Sequence, residues 1–146
     1  MIKPQKLNKM KIAVLLTCFN RKQQTISCLE HILKARCAYN NKHKNKIYLS
    51  FYITDDNCSD GTPDAIKQIL SLEQLLIIPA DGNAYWAGGM RLAWKKALDE
   101  RIYDFYLLLN DDTIVSEDCF SVLMFTNQYC LSHFNPPLFS RISRMT

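Results

Sequence analysis

The chain alternates between short apolar runs and longer stretches in which apolar residues recur every three or four positions. Ile12-Ala13-Val14-Leu15-Leu16 is continuously apolar and of strand length, as expected of a central parallel strand covered on both faces. Three further runs read as strands: Ile47 to Thr54, Leu75 to Ile78 (stopped by Pro79) and Phe105 to Leu109. Between them, Ile26, Leu29, Ile32, Leu33 and Cys37 keep helical spacing and predict a helix over Thr25 to Arg36. Ala38 to Lys46 is polar and basic and reads as a loop. Thr62-Pro63-Asp64 predicts the start of a second helix, with Thr62 as cap, Pro63 at the first helical position and an acid near the positive helix end. A loop from Ala80 to Ala87 leads through Gly88-Gly89 into a third helix at about Met90 to Arg101. A fourth runs from Glu117 to about Leu131, with Ser116 as its cap. The order βαβαβαβα predicts an α/β domain built on a mainly parallel sheet with helices on both faces.

In a parallel sheet the turns that follow the strands share one edge, where ligands of open α/β proteins bind. Three polar turns fall there: Thr17 to Arg21, Asp55-Asp56 and Asp111-Asp112. Asp111 and Asp112 end the apolar run Leu107-Leu108-Leu109 abruptly. Two adjacent carboxylates repel, and a hard cation such as Mg²⁺ or Mn²⁺, shared with phosphate oxygens, is one reason to keep them together. The other reading is a polar turn in which one of them caps the next helix. Asp55 and Asp56 can accept hydrogen bonds from a base or a ribose, or can form an Asx-turn ahead of a capped helix.

Composition narrows the choices. At 146 residues the chain can bury one core. A basic tail is expected over residues 1–10, an α/β domain over 11–131 and an irregular tail over 132–146. No apolar run approaches the roughly 20 residues needed to span a bilayer, and the basic start lacks the pattern of a cleaved signal. The six cysteines form no CxxC pair and read as reduced thiols of a cytoplasmic protein, with the inner face of a membrane also open as a workplace. Residues 1–50 hold eleven Lys and Arg against the single acid Glu30, and the remainder holds seven against thirteen acids. No aromatic residues interleave with the basic tail, so no nucleic-acid partner is expected. There is no GxGxxG after the first strand and no Walker-type loop, which argues against dinucleotide and P-loop chemistry.

Four stretches, in this order, resemble a known family. They are Thr17-Cys18-Phe19-Asn20-Arg21, Asp55-Asp56-Asn57-Cys58-Ser59-Asp60-Gly61-Thr62, Asn83-Ala84-Tyr85-Trp86-Ala87-Gly88-Gly89-Met90 and Leu109-Asn110-Asp111-Asp112. Over about residues 11–125 the chain resembles glycosyltransferase family 2, and the Trp-Ala-Gly-Gly-Met and Asn-Asp-Asp-Thr stretches are most similar to its rhamnosyltransferase-type members, which build bacterial surface polysaccharides.

The resemblance implies a GT-A fold, the Rossmann-like fold of enzymes that use nucleotide-diphospho-sugars. It implies inverting transfer of a sugar from a UDP- or dTDP-linked donor to a hydroxyl of a saccharide or lipid-linked acceptor, assisted by Mg²⁺ or Mn²⁺. Carried over by position, Thr17 and Phe19, with Asn20 and Arg21 beside them, line the nucleotide pocket, and Asp55 and Asp56 lie near the base or ribose. Asp111 and Asp112 stand in the metal motif, Asp112 as the better ligand. Asn83, Trp86, Gly88, Gly89 and Arg91 run beside the diphosphate and donor sugar. For Gly88 and Gly89, helix-start geometry is the alternative, for Trp86 core packing and for Arg91 a solvated helix position. The family usually continues past its metal motif into an acceptor-binding segment that carries a general base. No good candidate for that base is found here, and the catalytic residue is left unassigned. The chain therefore also reads as a truncated, donor-binding remnant without transfer activity, whose exposed sheet edge and apolar face favour self-association.

Overall fold

The computed structural model describes residues 9–133. Strands and helices alternate as β1 (Met10–Cys18), α1 (Lys22–Lys42), β2 (Ile47–Asp55), α2 (Thr62–Ile69), β3 (Gln74–Pro79), α3 (Tyr85–Glu100), β4 (Phe105–Asn110) and α4 (Cys119–His133). The four strands form one parallel sheet in the order β3-β2-β1-β4. The expected α/β architecture is therefore present, with helices on both faces.

The continuous apolar run of β1 divides by residue parity, because successive side chains of a strand point to opposite faces. Ile12, Val14, Leu16 and Cys18 join Cys28, Leu29, Ile32 and Ala35 of α1, Ile66 of α2 and Phe120 of α4 in one core. Ala13 and Leu15 face the other way and pack with Tyr52, Ile78, Met90, Ala93, Ala97 and Tyr103. On that side Gly89, Ala93 and Ala97 recur every four residues and are all buried. Their small size lets the backbone of α3 lie close to the sheet, where the Thr54 hydroxyl donates to the Gly89 carbonyl at 2.7 Å.

Four boundaries differ from the sequence reading. α1 continues to Lys42 instead of ending near Arg36, so the expected loop shrinks to four residues. Its last turn is held by buried Tyr39 and by Asn40, whose amide donates to the Ile47 carbonyl and accepts from the Ile47 N–H at 2.8 Å. α2 begins at Thr62, which is preceded by Gly61 at φ +80°, so Thr62 is not the cap. Asp60 Oδ1 accepts from both the N–H and the hydroxyl of Thr62. α3 starts at Tyr85, which places Gly88 and Gly89 inside its first turns. α4 begins at Cys119, whose N–H bonds the Ser116 carbonyl, while the Ser116 hydroxyl engages Asp118. Glu117 lies ahead of the helix and pairs with Lys34 at 2.6 Å.

Arg36 and Glu73 form a two-pronged pair at 2.6 and 2.7 Å that fixes α1 to the entrance of β3. α4 is more loosely covered: Val122, Leu123, Phe125, Tyr129 and Leu131 are exposed, as is Leu108 on edge strand β4. Among the described residues no helix is long and apolar enough to cross a membrane. Residues 1–8 and 134–146, which include most of the two expected tails, lie outside the described part.

The close approach of α3 yields a first prediction. A methyl group on Gly89 would sit 2.4 Å from both Cγ2 and Oγ1 of Thr17, so Gly89→Ala is expected to lower unfolding free energy by about 1–3 kcal/mol through overpacking. Thr17→Ala in the same chain should recover part of that loss, because it removes both clashing atoms. Urea denaturation of the three variants checks this, and an unchanged midpoint for Gly89→Ala would show that helix and strand can separate freely.

Candidate functional site

Parallel register sets the floor of the site. Cys18 lies opposite Asp55, and Thr17 lies opposite both Thr54 and Asn110. The turns after β1, β2 and β4 therefore leave the sheet at one level. Above them opens a cleft of about 700 Å³, lined by Thr17, Cys18, Phe19, Arg21, Asp56, Gly82, Tyr85, Trp86, Asn110, Asp111 and Asp112. That volume suits a nucleotide-sized ligand.

The β1–α1 and β2–α2 turns are joined to each other. Asn20, at φ +48°, accepts from the N–H and the hydroxyl of Ser59 and gives its own N–H to Cys58 Sγ. Asp60 accepts from the Lys22 N–H at 3.0 Å as well as from Thr62. Asp55 Oδ1 accepts from the Cys58 N–H at 2.8 Å, closing an Asx-type turn. Asn20 and Asp55 thus serve the framework beside the cleft and do not line it.

Asp56 sits deeper, only 2% exposed. Its Oδ1 accepts from the N–H groups of Gly82 and Ala84 at 2.9 and 3.1 Å, and its Oδ2 from Tyr85 N–H at 3.0 Å. These are donors of the loop that enters α3, so a carboxylate from another element caps this helix. A carboxylate offers about four acceptor sites, which leaves Oδ2 able to take one more donor. Tyr85 itself is held at φ +50°, a costly conformation for an aromatic residue, tolerated where surrounding contacts enforce it. The result is a rim of three aromatic rings, Phe19, Tyr85 and Trp86, each at least half exposed. Trp86 therefore does not pack in the core. Gly88, Gly89 and Arg91 lie further along α3 and do not line the cleft, Arg91 being exposed. Asn83 is exposed and also off the lining.

The carboxylate pair faces Arg21. Its Nη1 lies 3.2 Å from Asp111 Oδ1 and 3.1 Å from Asp112 Oδ2. The Asp111 side chain is nearly buried, while those of Asp112 and Arg21 are about half exposed. Burial pushes the Asp111 carboxyl up, and the facing guanidinium pulls against that shift. Two carboxylate oxygens that face one positive group are donors of the type a hard divalent cation takes. Thr17 also lines the cleft, but its Oγ1 lies against Gly89 and is buried without a hydrogen-bond partner.

A second group with ligand character flanks the floor. Cys18 Sγ, an Asp55 oxygen and Cys58 Sγ lie within 4.8 Å of one another. The thiols behave as protonated donors here: Cys18 points at the Thr54 carbonyl and Cys58 at the Cys18 carbonyl. Burial pushes both thiols up, that of Cys58 to about 11. All six cysteines are free thiols.

The sequence reading missed Cys18, Gly82, Tyr85 and Asn110 as cleft residues. Asn110 and Tyr85 stood inside quoted motifs, but only the register and the φ of Tyr85 show that they face the ligand space.

Comparison with known proteins agrees with this geometry. The model of the family described as "Glycosyl transferase family 2" matches residues 13–126. The fold is similar to a crystal structure of S. aureus TarS 1-349, at 15% identity and a TM-score of 0.62, covering 82% of this chain and 33% of that one. It is similar too to the mannosyltransferase PcManGT from Pyrobaculum calidifontis in complex with GDP-Man and Mn²⁺, at 16% identity and a TM-score of 0.55, covering 82% and 34%. At these identities the likeness is one of fold, and the chain spans about a third of the length of each. No curated protein matches the chain.

The capping role of Asp56 is testable. In Asp56→Asn one oxygen becomes an NH₂ group, so one of three backbone donors must face another donor. The expected cost is about 1–3 kcal/mol, with faster amide exchange at Gly82, Ala84 and Tyr85. Unchanged protection of those amides would mean that the loop is held by something else.

Proposed function

The chain belongs to glycosyl transferase family 2, and we propose that its cleft binds a nucleoside-diphospho-sugar and that the protein transfers the sugar to an acceptor hydroxyl. The observation that carries this reading is the presence of two features in one cavity. The exposed rings of Phe19, Tyr85 and Trp86 and the carboxylates of Asp111 and Asp112 line the same cleft. Exposed aromatic rings at a cleft mouth suit stacking on a flat base or a sugar face. The remaining acceptor site of Asp56 suits a ring N–H or a ribose hydroxyl. Asp112, the more exposed of the pair, is the better ligand for Mg²⁺ or Mn²⁺, with Asp111 behind it. A divalent ion bound there supplies Lewis-acid stabilisation of the leaving diphosphate. Arg21 contributes a second positive charge beside that pair.

The finer reading is an inverting, hexosyltransferase-type enzyme of rhamnosyltransferase character that uses a UDP- or dTDP-linked donor in bacterial surface polysaccharide synthesis. The Trp86-Ala87-Gly88-Gly89-Met90 stretch supports it. The neighbouring mannosyltransferase, solved with GDP-Man and Mn²⁺, makes a guanosine donor worth including in any test. Six free thiols suit a reducing, cytoplasmic setting. The exposed apolar residues of α4 and the β4 edge are proposed as a surface for self-association.

A second reading rests on the carboxylates. Among the described residues three line the cleft. Asp56 is engaged by loop amides and the other two by Arg21, so none stands free as a general base. The described residues therefore account for donor binding more fully than for transfer, and a donor-binding unit without transfer activity is the alternative.

Calorimetric titration with UDP, dTDP and GDP, each with and without Mn²⁺, tests both. Mn²⁺-dependent binding of one nucleotide is expected, with affinity falling about 10–100-fold in Asp112→Ala. Incubating the matching nucleotide-sugar with acceptor then separates transferase from binder. A folded chain that binds none of the three nucleotides would refute the donor site.

A further inference from the structure

We infer that Arg21 is an internal cation that occupies the metal position of the cleft until metal and diphosphate arrive, then moves from the carboxylates to the phosphates. This deepens the donor-site reading above and rests on it.

The geometry is specific. A single nitrogen, Arg21 Nη1, lies within 3.2 Å of one oxygen from each of Asp111 and Asp112. A divalent ion held by the same two oxygens would compete with Nη1 for their lone pairs. Guanidinium and metal, both positive, would also repel each other at that range. Metal binding must therefore expel Arg21. The cost falls mainly on the nearly buried Asp111, because the Arg21 and Asp112 side chains are half exposed and such exposed pairs are weak in water.

The displaced side chain has one obvious destination. Its backbone is fixed, because Asn20 beside it is pinned to Ser59 and Cys58 and the next residue, Lys22, to Asp60. The base of Arg21 therefore stays at the cleft wall while its tip swings. A diphosphate that ligates the metal brings its oxygens within a few ångströms of that tip, and a planar guanidinium with five donors suits phosphate oxygens. The free protein keeps its carboxylates paired, and the loaded protein keeps the arginine paired. Metal alone is disfavoured, because it strands the arginine. Metal and nucleotide together are favoured, because each restores a partner to a group the other displaces. Arg21 thus acts as a positioning residue that couples the two ligands.

The coupling predicts effects of opposite sign from one substitution. If the carboxylates are free of Arg21 in only about a tenth of molecules, the apparent dissociation constant for metal alone is raised about tenfold. Arg21→Gln should therefore bind Mn²⁺ alone more tightly, by up to about that factor. The same variant should bind the nucleoside diphosphate more weakly in saturating Mn²⁺. Free Mn²⁺ measured by electron paramagnetic resonance gives the first quantity, and calorimetry gives the second. Arg21→Lys keeps the charge, so it separates general electrostatics from exchange. If net charge alone matters, Lys behaves as Arg in both assays and the inference fails. The guanidinium ¹⁵N resonances of Arg21, identified by their loss in Arg21→Gln, should move when diamagnetic Mg²⁺ is added to the whole chain and move again with UDP. Signals that stay fixed while metal binds would overturn the exchange. Loss of both affinities together in Arg21→Gln would also overturn it, since that marks a merely structural role. Should no variant bind metal or nucleotide at all, the donor site itself fails, a result distinct from either.

Discussion

The register of β1 between β2 and β4 is the constraint on which the site depends. Parallel pairing aligns Thr17 with Thr54 on one side and with Asn110 on the other, and sets Cys18 opposite Asp55. A slip of one residue would turn Leu15 from the α3 face to the α1 face and exchange every partner along the strand. Both faces of β1 are buried, so such a slip is opposed along its whole length. The chemistry at the sheet edge is therefore positioned by apolar burial several residues away. The polar turns have little freedom to choose where they leave the sheet.

What those turns do next differs by residue type and partner. Asn20 and Asp60 cross-link neighbouring turns, and Asp55 closes the turn after β2. Asp56 reaches over to hold the loop before α3, and the strained backbone of Tyr85 is part of what it holds. Strain of this kind costs on the order of 1–3 kcal/mol and persists only where the surroundings over-determine it. Here three amide–carboxylate bonds do so, and the aromatic rim follows. Asp111 and Asp112 instead face the half-exposed side chain of Arg21. The acids at this edge thus divide into a set that holds the turns and a pair that faces Arg21.

Much of this was legible in the sequence wherever one segment suffices to determine the outcome. The continuous run from Ile12 to Leu16 could only be a strand with two covered faces, and βαβ alternation placed the polar turns together. The family resemblance rested on four local motifs, and the family match over residues 13–126 agrees with it. Legibility failed where a distant partner decides. Nothing near Tyr85 announces a helix start, because its capping carboxylate lies 29 residues earlier. The last turn of α1 looks like a basic loop until Asn40 meets Ile47. Asp55 and Asp56 are the same residue type side by side. Only their opposite directions out of β2 make one an Asx-turn acceptor and the other the keystone of the α3 loop.

The same logic applies to Arg21, one of the basic residues in the first third of the chain. Adjacent carboxylates at a sheet edge repel each other, and here the positive charge that faces them comes from the protein. Among the described residues, Arg21 is the positive side chain that the β1–α1 turn delivers to the pair. Lys34 and Arg36 are instead occupied with acids on the outer side of α1 and at the β3 entrance. A lysine in place of Arg21 would offer a compact ammonium without the planar fork that leaves a guanidinium further donors for phosphate oxygens. The requirement is thus for a charge that is firmly rooted at its backbone and loosely held at its tip. The pinned Asn20-Arg21-Lys22 turn and the half-exposed guanidinium supply that combination.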